Sequence, residues 1–260
     1  MKRDERRQDI LDLLVRDGAV DLDVLAVRFG VSKMTIHRDL DDLESAGVLR
    51  KMRGGATIEA GTQFESDFRF RTQLGGAAKA AMAEAALTLI EPGMSVIIND
   101  GSMAAVLGAR LVEKRPLTVL TNNAAVLDTL KGQTGITLVA LGGTYSAKFN
   151  AYFGMVTEAA LASLRADLAF VSSPAVSGTD VFHMDADVIR TKRAMMGAAT
   201  KTCLLVNQSR FGHTALHKLA DLSAFDTIIT NGAPDADSRA ALDAAGLTLT
   251  IAQQHMDDVT

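Results

Sequence analysis

The sequence predicts a chain of two parts: a helix-turn-helix unit with a β wing, then a larger α/β domain built on a mainly parallel sheet. Three observations lead there. Residues 1–56 carry apolar positions at helical spacing in three short blocks, separated by Asp17-Gly18 and Gly30-Val31. From residue 77 onward, short apolar runs alternate with helical stretches, the pattern of a parallel sheet covered on both faces. The chain has 260 residues, more than one small module, which suits one or two domains at roughly 100–200 residues each.

The first helix spans residues 3–14, with Ile10, Leu11, Leu13 and Leu14 facing inward and Arg3, Arg6 and Arg7 outward. Asp17-Gly18 breaks it. Asp21 is placed to cap a short second helix whose apolar stripe is Leu22, Leu25, Ala26 and Phe29. Gly30-Val31 forms the turn and Ser32 opens a third helix, its hydroxyl suited to accept from a free N–H two or three residues on. Ile36, Leu40 and Leu43 line the buried side of that helix, and Gly47 stands where a left-handed cap is wanted. Two helices joined by a short glycine-containing turn form a helix-turn-helix. Val48 to Ala56 reads as a short β-hairpin or wing, with Arg50, Lys51 and Arg53 within four positions.

Residues 57–76 show no clean periodicity and read as a linker with one semi-ordered segment, Phe64–Arg71, closed by Gly75-Gly76. Helices are then predicted at 78–90, 102–111, 123–130, 152–164, 187–199 and 237–245. Strands are predicted at 94–99, 117–121, 137–141, 167–171, 202–206, 227–230 and 247–251, with a loop from 172 to about 184. The strands are near-continuous apolar runs, as a doubly covered sheet requires. Domain boundaries follow at 1–56, 57–76, 77–252 and a tail at 253–260, expected to fray.

Apolar residues make up 48% of the chain and the formal charge is −4, so bulk charge points to no nucleic acid. Residues 1–56 hold 11 Lys/Arg against 11 Asp/Glu. Any DNA affinity must therefore come from placement. Cys203 is the only cysteine; a disulfide within the chain is excluded, and a reducing cytosol fits. The charged N-terminus lacks the apolar core of a signal peptide, and no run reaches the ~18 apolar residues of a membrane span. A cytoplasmic protein without membrane contact is expected.

The third helix buries one side and shows Ser32, Lys33, Thr35, His37 and Arg38 near its N-terminal end. Such a helix can enter a DNA major groove. Arg38 can contact phosphate or a guanine edge, or pair with Asp42 four residues on; the DNA role is the favoured one. Asp39 suits a structural partnership with a nearby base, because a carboxylate beside phosphate is repelled. In the α/β domain, ligands bind beyond the carboxyl ends of the strands. Polar loops fall there: Asn99-Asp100-Gly101-Ser102, Thr121-Asn122-Asn123, Leu141-Gly142-Gly143 with Lys148 and Asn150 after it, Ser172-Ser173, and Asn207-Gln208-Ser209-Arg210. Together they suit a small phosphorylated or polyhydroxyl ligand. His183, His213 and His217 lack metal-like spacing, so neither metal nor cofactor is expected. Cys203 reads as a small core residue.

The run Phe29–Leu40, then Leu43-Glu44, Gly47, Leu49 and Arg53-Gly54-Gly55-Ala56, resembles the DeoR family of bacterial transcription regulators. The resemblance continues to about residue 251 through Lys79, Gly101-Ser102, Thr121-Asn122, Leu141-Gly142-Gly143, Lys192-Arg193-Ala194-Met195 and Ser209-Arg210-Phe211-Gly212. It implies a winged DNA-binding domain joined to a sugar-phosphate-sensing domain similar in fold to ribose-phosphate isomerase. It also implies a repressor of a sugar or polyol operon that releases double-stranded operator DNA on binding a phosphorylated sugar or polyol, as a homodimer or homotetramer. The implied DNA contacts are Ser32, Lys33, Thr35, His37 and Arg38, with Arg50 and Arg53 on the wing. The implied effector contacts are Asn99, Gly101, Ser102, Thr121, Asn122, Gly143, Lys148, Ser172, Asn207 and Arg210.

Some positions depart from the family pattern. Asn99-Asp100-Gly101-Ser102-Met103 stands where Asp-x-Gly-Thr-Thr is usual. Asn207-Gln208-Ser209-Arg210-Phe211 replaces Asp-x-Ser-Lys-Phe. His37 stands where Arg is usual, and Arg53 where His is. Arg still binds phosphate, by a rigid fork. The amides point to a different ligand or to lost sensing. A second reading is a sugar-phosphate isomerase-like enzyme with an accessory DNA-binding domain. It needs a base beside the sugar carbon, and amides at 99 and 207 cannot serve, so a non-enzyme is expected.

Overall fold

The computed structural model describes residues 3–45, 49–57 and 68–253. The cap expected at Gly47, most of the expected linker and most of the tail fall outside them. The chain divides into two compact units between Leu74 and Gly75.

The first unit contains α1 (Arg3–Asp17), β1 (Ala19–Asp21), α2 (Leu22–Phe29), α3 (Lys33–Ser45), β2 (Arg50–Met52), β3 (Gly55–Thr57) and α4 (Phe68–Gln73). Gly18 ends α1 at φ 75°, its N–H donating to Leu14 O at 2.9 Å. Asp21 caps α2 by accepting from Asp23 N at 2.8 Å and Val24 N at 3.1 Å. Gly30, left-handed at φ 63°, closes that helix. Ile10, Leu14, Leu25, Ile36, Leu40 and Leu49 form the fully buried centre of the core. The wing differs from a simple hairpin: β1 joins it, giving an antiparallel sheet of order β1-β3-β2. A Cβ on Gly55 would stand 2.0 Å from Val20 O, so only glycine permits this approach. Residues 68–73, inside the stretch read as linker, are helical.

Arg6 corrects a second expectation. It is buried, not outward-facing, because Asp39 of α3 accepts from its Nε at 2.6 Å. Helical periodicity assigns a charged residue to solvent by default; an ionic partner 33 residues away overrides it.

The second unit begins with α5 (Gly76–Leu87), β4 (Ser95–Ile98), α6 (Ser102–Arg110), β5 (Leu117–Thr121), α7 (Ala124–Leu130) and β6 (Ile136–Ala140). A hairpin of β7 (Thr144–Ser146) and β8 (Ala151–Phe153) precedes α8 (Met155–Ala162) and β9 (Ala166–Ser172). Next come β10 (Ala175–Ser177), β11 (Asp180–His183), α9 (Ala186–Gly197), β12 (Ala199–Leu205) and β13 (His217–Asp221). The unit closes with β14 (Thr227–Thr230), α10 (Ala236–Ala244) and β15 (Thr250–Ile251). Seven strands form one sheet of order β15-β14-β12-β9-β4-β5-β6, every pairing parallel.

Both faces of this sheet are covered, as its apolar strands require. Val96 and Ile98 of β4 join one apolar cluster and Ile97, pointing the other way, joins another. Three expectations are corrected. The helix expected from Tyr152 starts at Met155, because Tyr152 pairs with Tyr145 in the β7–β8 hairpin. The loop expected from 172 to 184 contains β10 and β11, which form a small antiparallel sheet of order β10-β11-β13. The last strand shrinks to Thr250–Ile251.

Candidate nucleic-acid interface and ligand site

Ser32 opens α3 by accepting from Thr35 N at 3.2 Å, and the two hydroxyls lie 2.9 Å apart. The charges along this helix divide by face. Asp39 turns inward, accepting from Arg6 Nε at 2.6 Å and Arg7 Nε at 3.0 Å. Asp42 also pairs with Arg7. That removes the expected alternative for Arg38: its acceptor four residues on is already engaged. Arg38 and His37 stand side by side, exposed, and neither has a charged partner among the described residues. Lys33 is exposed and bridges Asp23 at 2.7 Å. An ion pair that open to water is worth about 0–1 kcal/mol, weak enough for phosphate to displace it.

On the wing, Arg50 and Arg53 are exposed. Lys51 is held back: its N–H donates to Glu44 Oε1 at 2.8 Å and its ammonium pairs with Asp41. Lys51 therefore ties the wing to α3, whereas Arg53 projects from the turn at Gly54. The unit thus exposes His37 and Arg38 on α3 and Arg50 and Arg53 on the wing.

In the second unit, the polar loops leave β12, β9, β4, β5 and β6, five consecutive strands of the sheet. Asn99, Asp100, Asn122 and Asn123 are all at most 1% exposed. Asn99 Nδ2 donates to Ser172 Oγ at 3.2 Å. Asn123 Nδ2 donates to the carbonyls of Asn99, at 3.2 Å, and Gly101, at 3.0 Å. Asn122 Nδ2 donates to Tyr152 O at 2.8 Å, which fastens the β7–β8 hairpin over the edge. Gly143 has φ 134°, and a Cβ there would lie 2.4 Å from Thr157 Oγ1. No side chain caps the N-terminus of α6 at Gly101, so its first N–H groups are available to an anion.

Lys192 completes the cluster. It comes from α9, is 2% exposed, and donates from Nζ to Ser172 O at 2.8 Å with Asp100 Oδ1 at 3.7 Å. A buried ammonium needs such compensation. Among the described residues of this unit, three buried polar atoms have no hydrogen-bond partner: Asn99 Oδ1, Asn122 Oδ1 and Thr191 Oγ1. Buried acceptors are almost always satisfied, so the two amide oxygens call for donors such as ligand hydroxyls.

The structure separates the expected effector residues. It brings Asn99, Gly101 and Ser172 together, with Asn122 alongside at the next strand end. Ser102 is the first residue of α6. The Thr121 hydroxyl is engaged within the loop, donating to Ile98 O at 2.7 Å and accepting from Asn123 N at 3.0 Å. Lys148 is exposed, its ammonium 5.1 Å from the centroid of the Phe149 ring. Asn207 caps a turn by accepting from Ser209 N at 2.9 Å, and Arg210 lies in that turn. Lys192, Asp100 and Asn123 were not singled out as ligand contacts. The helical spacing of α9 marks Lys192 as one more charged position, and only the tertiary fold places it under the strand ends.

Three other carboxylates from β11 to α9 are occupied. Asp185 caps α9, Asp187 pairs with Arg190, and Asp180 pairs with Lys218. Among the described residues no three His, Cys, Asp or Glu gather as a metal site. Cys203 is fully buried and burial pushes its thiol up, which suits a core residue. A cavity of about 300 Å³ opens at the opposite end of the strands, near Met94 and Leu168. Its two carboxylates already accept from the backbone, Asp167 from Ser95 N and Asp226 from Thr202 N, each at 2.7 Å.

Residues 6–61 match the DeoR-like helix-turn-helix domain and residues 76–232 the DeoR C-terminal sensor domain. The chain is 31% identical to an uncharacterized HTH-type transcriptional regulator, YgbI, of Escherichia coli K12, over 91% of this chain and 93% of that one. It is 30% identical to a putative aga operon transcriptional repressor of Escherichia coli O157:H7, over 95% and 93%. It is also 30% identical to the L-fucose operon activator of Haemophilus influenzae, over 87% and 91%. Ribose 5-phosphate isomerase A of Methanocaldococcus jannaschii is similar at 20% identity over 51% of this chain and 53% of that one, with a TM-score of 0.36; a likeness that weak carries nothing about activity. The two domain matches span the N-terminal winged unit and most of the sheet domain: the chain belongs to the DeoR family of transcriptional regulators.

Proposed function

We infer that this chain is a DNA-binding repressor of a sugar or polyol catabolic operon, and that a phosphorylated sugar or polyol bound at the strand ends weakens its hold on the operator. One observation carries the DNA reading. On α3 Asp39 and Asp42 are engaged by α1 and Asp41 and Glu44 by Lys51 of the wing, while His37 and Arg38 stay exposed to meet a groove. The effector reading is supported by the unsatisfied amide oxygens of Asn99 and Asn122, the buried Lys192, and the uncapped start of α6. Amides and hydroxyls suit a polyol; a lysine and helix N–H groups suit its phosphate. The sugar-operon assignment leans on the fucose-operon relative, and repression on the aga-operon relative. The cytoplasm is the compartment that fits operator binding.

We assign no reaction to the site. Proton abstraction needs a free base, and Asp100, the one carboxylate in the cluster, faces Lys192. The effector acts by preferring one arrangement of the reading heads, since a ligand with equal affinity for both states shifts nothing. The test is a mobility-shift assay on the DNA upstream of the gene, repeated with a panel of hexose, pentose and polyol phosphates. At least one compound should release the DNA at millimolar concentration or below. Release by none, with a specific complex still formed, would remove the effector half of the proposal.

A further inference from the structure

The seven-stranded sheet ends on one side in β15, two residues long, and on the other in β6, five residues long. Leu117 N donates to Gly135 O at 3.0 Å and Leu141 N to Thr121 O at 2.9 Å. With Val119 opposite Leu138 in the register, these bonds fix the alternation along β6. Thr137 and Val139 bond inward to β5. The N–H and C=O groups of Ile136, Leu138 and Ala140 point outward. Among the described residues no strand lies on that side, and of these groups only Ile136 N has a partner, Gln133 O of the preceding turn at 3.3 Å.

The side chains tell the same story. Ile136 and Leu138 pack against one apolar cluster and Val139 against another, yet all three stay partly exposed. Their neighbours Leu117, Val119 and Leu120 in β5 are at most 3% exposed. Proteins blunt open edges with Lys, Pro or a bulge, because an open edge is a template for another strand. This edge has none of them. No charged residue or proline occurs from Gly132 to Ala147, and the register with β5 is unbroken.

We propose that β6 pairs antiparallel with β6 of a second copy of this chain, across a two-fold axis at Leu138, so that one sheet runs through both copies. In that register Leu138 faces its own copy and the two exchange both N–H···O bonds, while Ile136 faces Ala140 of the partner subunit. Every outward group of the strand is then opposite a complementary one. The absence of charge favours a second copy over a foreign strand. In an isologous contact a charge at or next to the axis meets its own like copy, so a charge-free edge suits self-pairing, and a foreign strand would be selected by complementary charge. A further reason rests on the proposed function alone: two operator half-sites need two reading heads.

The register gives a sharp test, made on the full-length protein without DNA. Paired residues on the axis have Cα atoms about 5.5 Å apart, within disulfide range. Leu138→Cys should therefore form a covalent dimer on mild oxidation. Ile136→Cys should not, because its own copy lies roughly 14 Å away at about 3.4 Å of rise per residue. The Ile136→Cys/Ala140→Cys double variant should cross-link again. The buried Cys203 stays silent, so the wild type serves as a blank. In sedimentation equilibrium, Thr137→Lys, a charge on an exposed side chain of the edge, should raise the dissociation constant of the interface at least tenfold while leaving the melting curve in place. Cross-linking of Ile136→Cys alone would overturn the register. A monomeric wild type, or an assembly unchanged by both Thr137→Lys and Ala140→Pro, would overturn the interface. DNA binding is not part of any readout, so its failure would be distinguishable.

Discussion

Asp39 of the recognition helix is tied to Arg6 of the first helix by a buried 2.6 Å hydrogen bond between ions. Arg7 adds a second contact to the same carboxylate at 3.0 Å. The pair sets how far α3 stands from α1 and turns a negative charge away from the face that exposes His37 and Arg38. Breaking a buried pair by removing one partner costs about 3–5 kcal/mol, because the other charge is left stranded. Asp39→Ala should lower the stability of the N-terminal unit by about that amount, read as an earlier transition in chemical denaturation followed by circular dichroism. A shift below about 1 kcal/mol would mean the arginines find water instead.

Gly55 is the close point of the wing. Gly55→Ala would put a methyl group into Val20 O, at 2.0 Å in the present backbone. Either β1 leaves the sheet or the wing moves. Overpacking of this kind costs typically 1–3 kcal/mol. Loss of amide protection at Val20 and Ala56 by hydrogen exchange would confirm it, and unchanged protection would refute it.

Lys192→Met keeps the length of the side chain and deletes the ammonium between Ser172 O and Asp100. On the proposed function, DNA binding in the absence of effector survives and the response to phosphorylated sugars is lost. Thermal-shift titration of the variant should show no stabilisation by a compound that stabilises the wild type. An equal shift in both would remove Lys192 from the ligand site.

Acid should loosen the edge around β13. The Ser223 hydroxyl, the Ser223 N–H and the Thr179 hydroxyl all donate to Asp221 and hold its carboxyl down at about 2. A depressed carboxyl stabilises the fold fully above its unfolded value, near 4, and loses that contribution as pH falls toward 2. Ser223→Ala should therefore move the midpoint of acid unfolding upward. Near-ultraviolet circular dichroism between pH 5 and pH 2 would show it; identical acid midpoints would contradict it.

The fold was readable where local chemistry decides. Asp21 caps α2, the helix expected at 123–130 is α7, and Leu117–Thr121 is the strand its apolar run announces. What was not readable depends on distant partners. Ala19–Asp21 is too short for any period and becomes a strand only because Gly55 lets β3 approach. Tyr152 fits a helical pattern but pairs with Tyr145. The strand-end loops were visible as polar residues after apolar runs, so the neighbourhood of the ligand site was legible. Its floor was not: Lys192 lies 20 residues beyond Ser172, and although it falls in a run that carries the family resemblance, its helical position alone does not show that it is buried under the strand ends.

On the proposed function, α3 reads DNA through its exposed basic residues. Fluorescence anisotropy at fixed salt, using the intergenic DNA upstream of the gene and comparing wild type with Arg38→Ala, tests it most directly. One good contact to a base edge is worth about 1–3 kcal/mol of discrimination, so the variant should bind at least about fivefold more weakly and lose preference over unrelated DNA. Equal affinity for both proteins, or no preference of the wild type for its own upstream DNA, would rule out reading by α3.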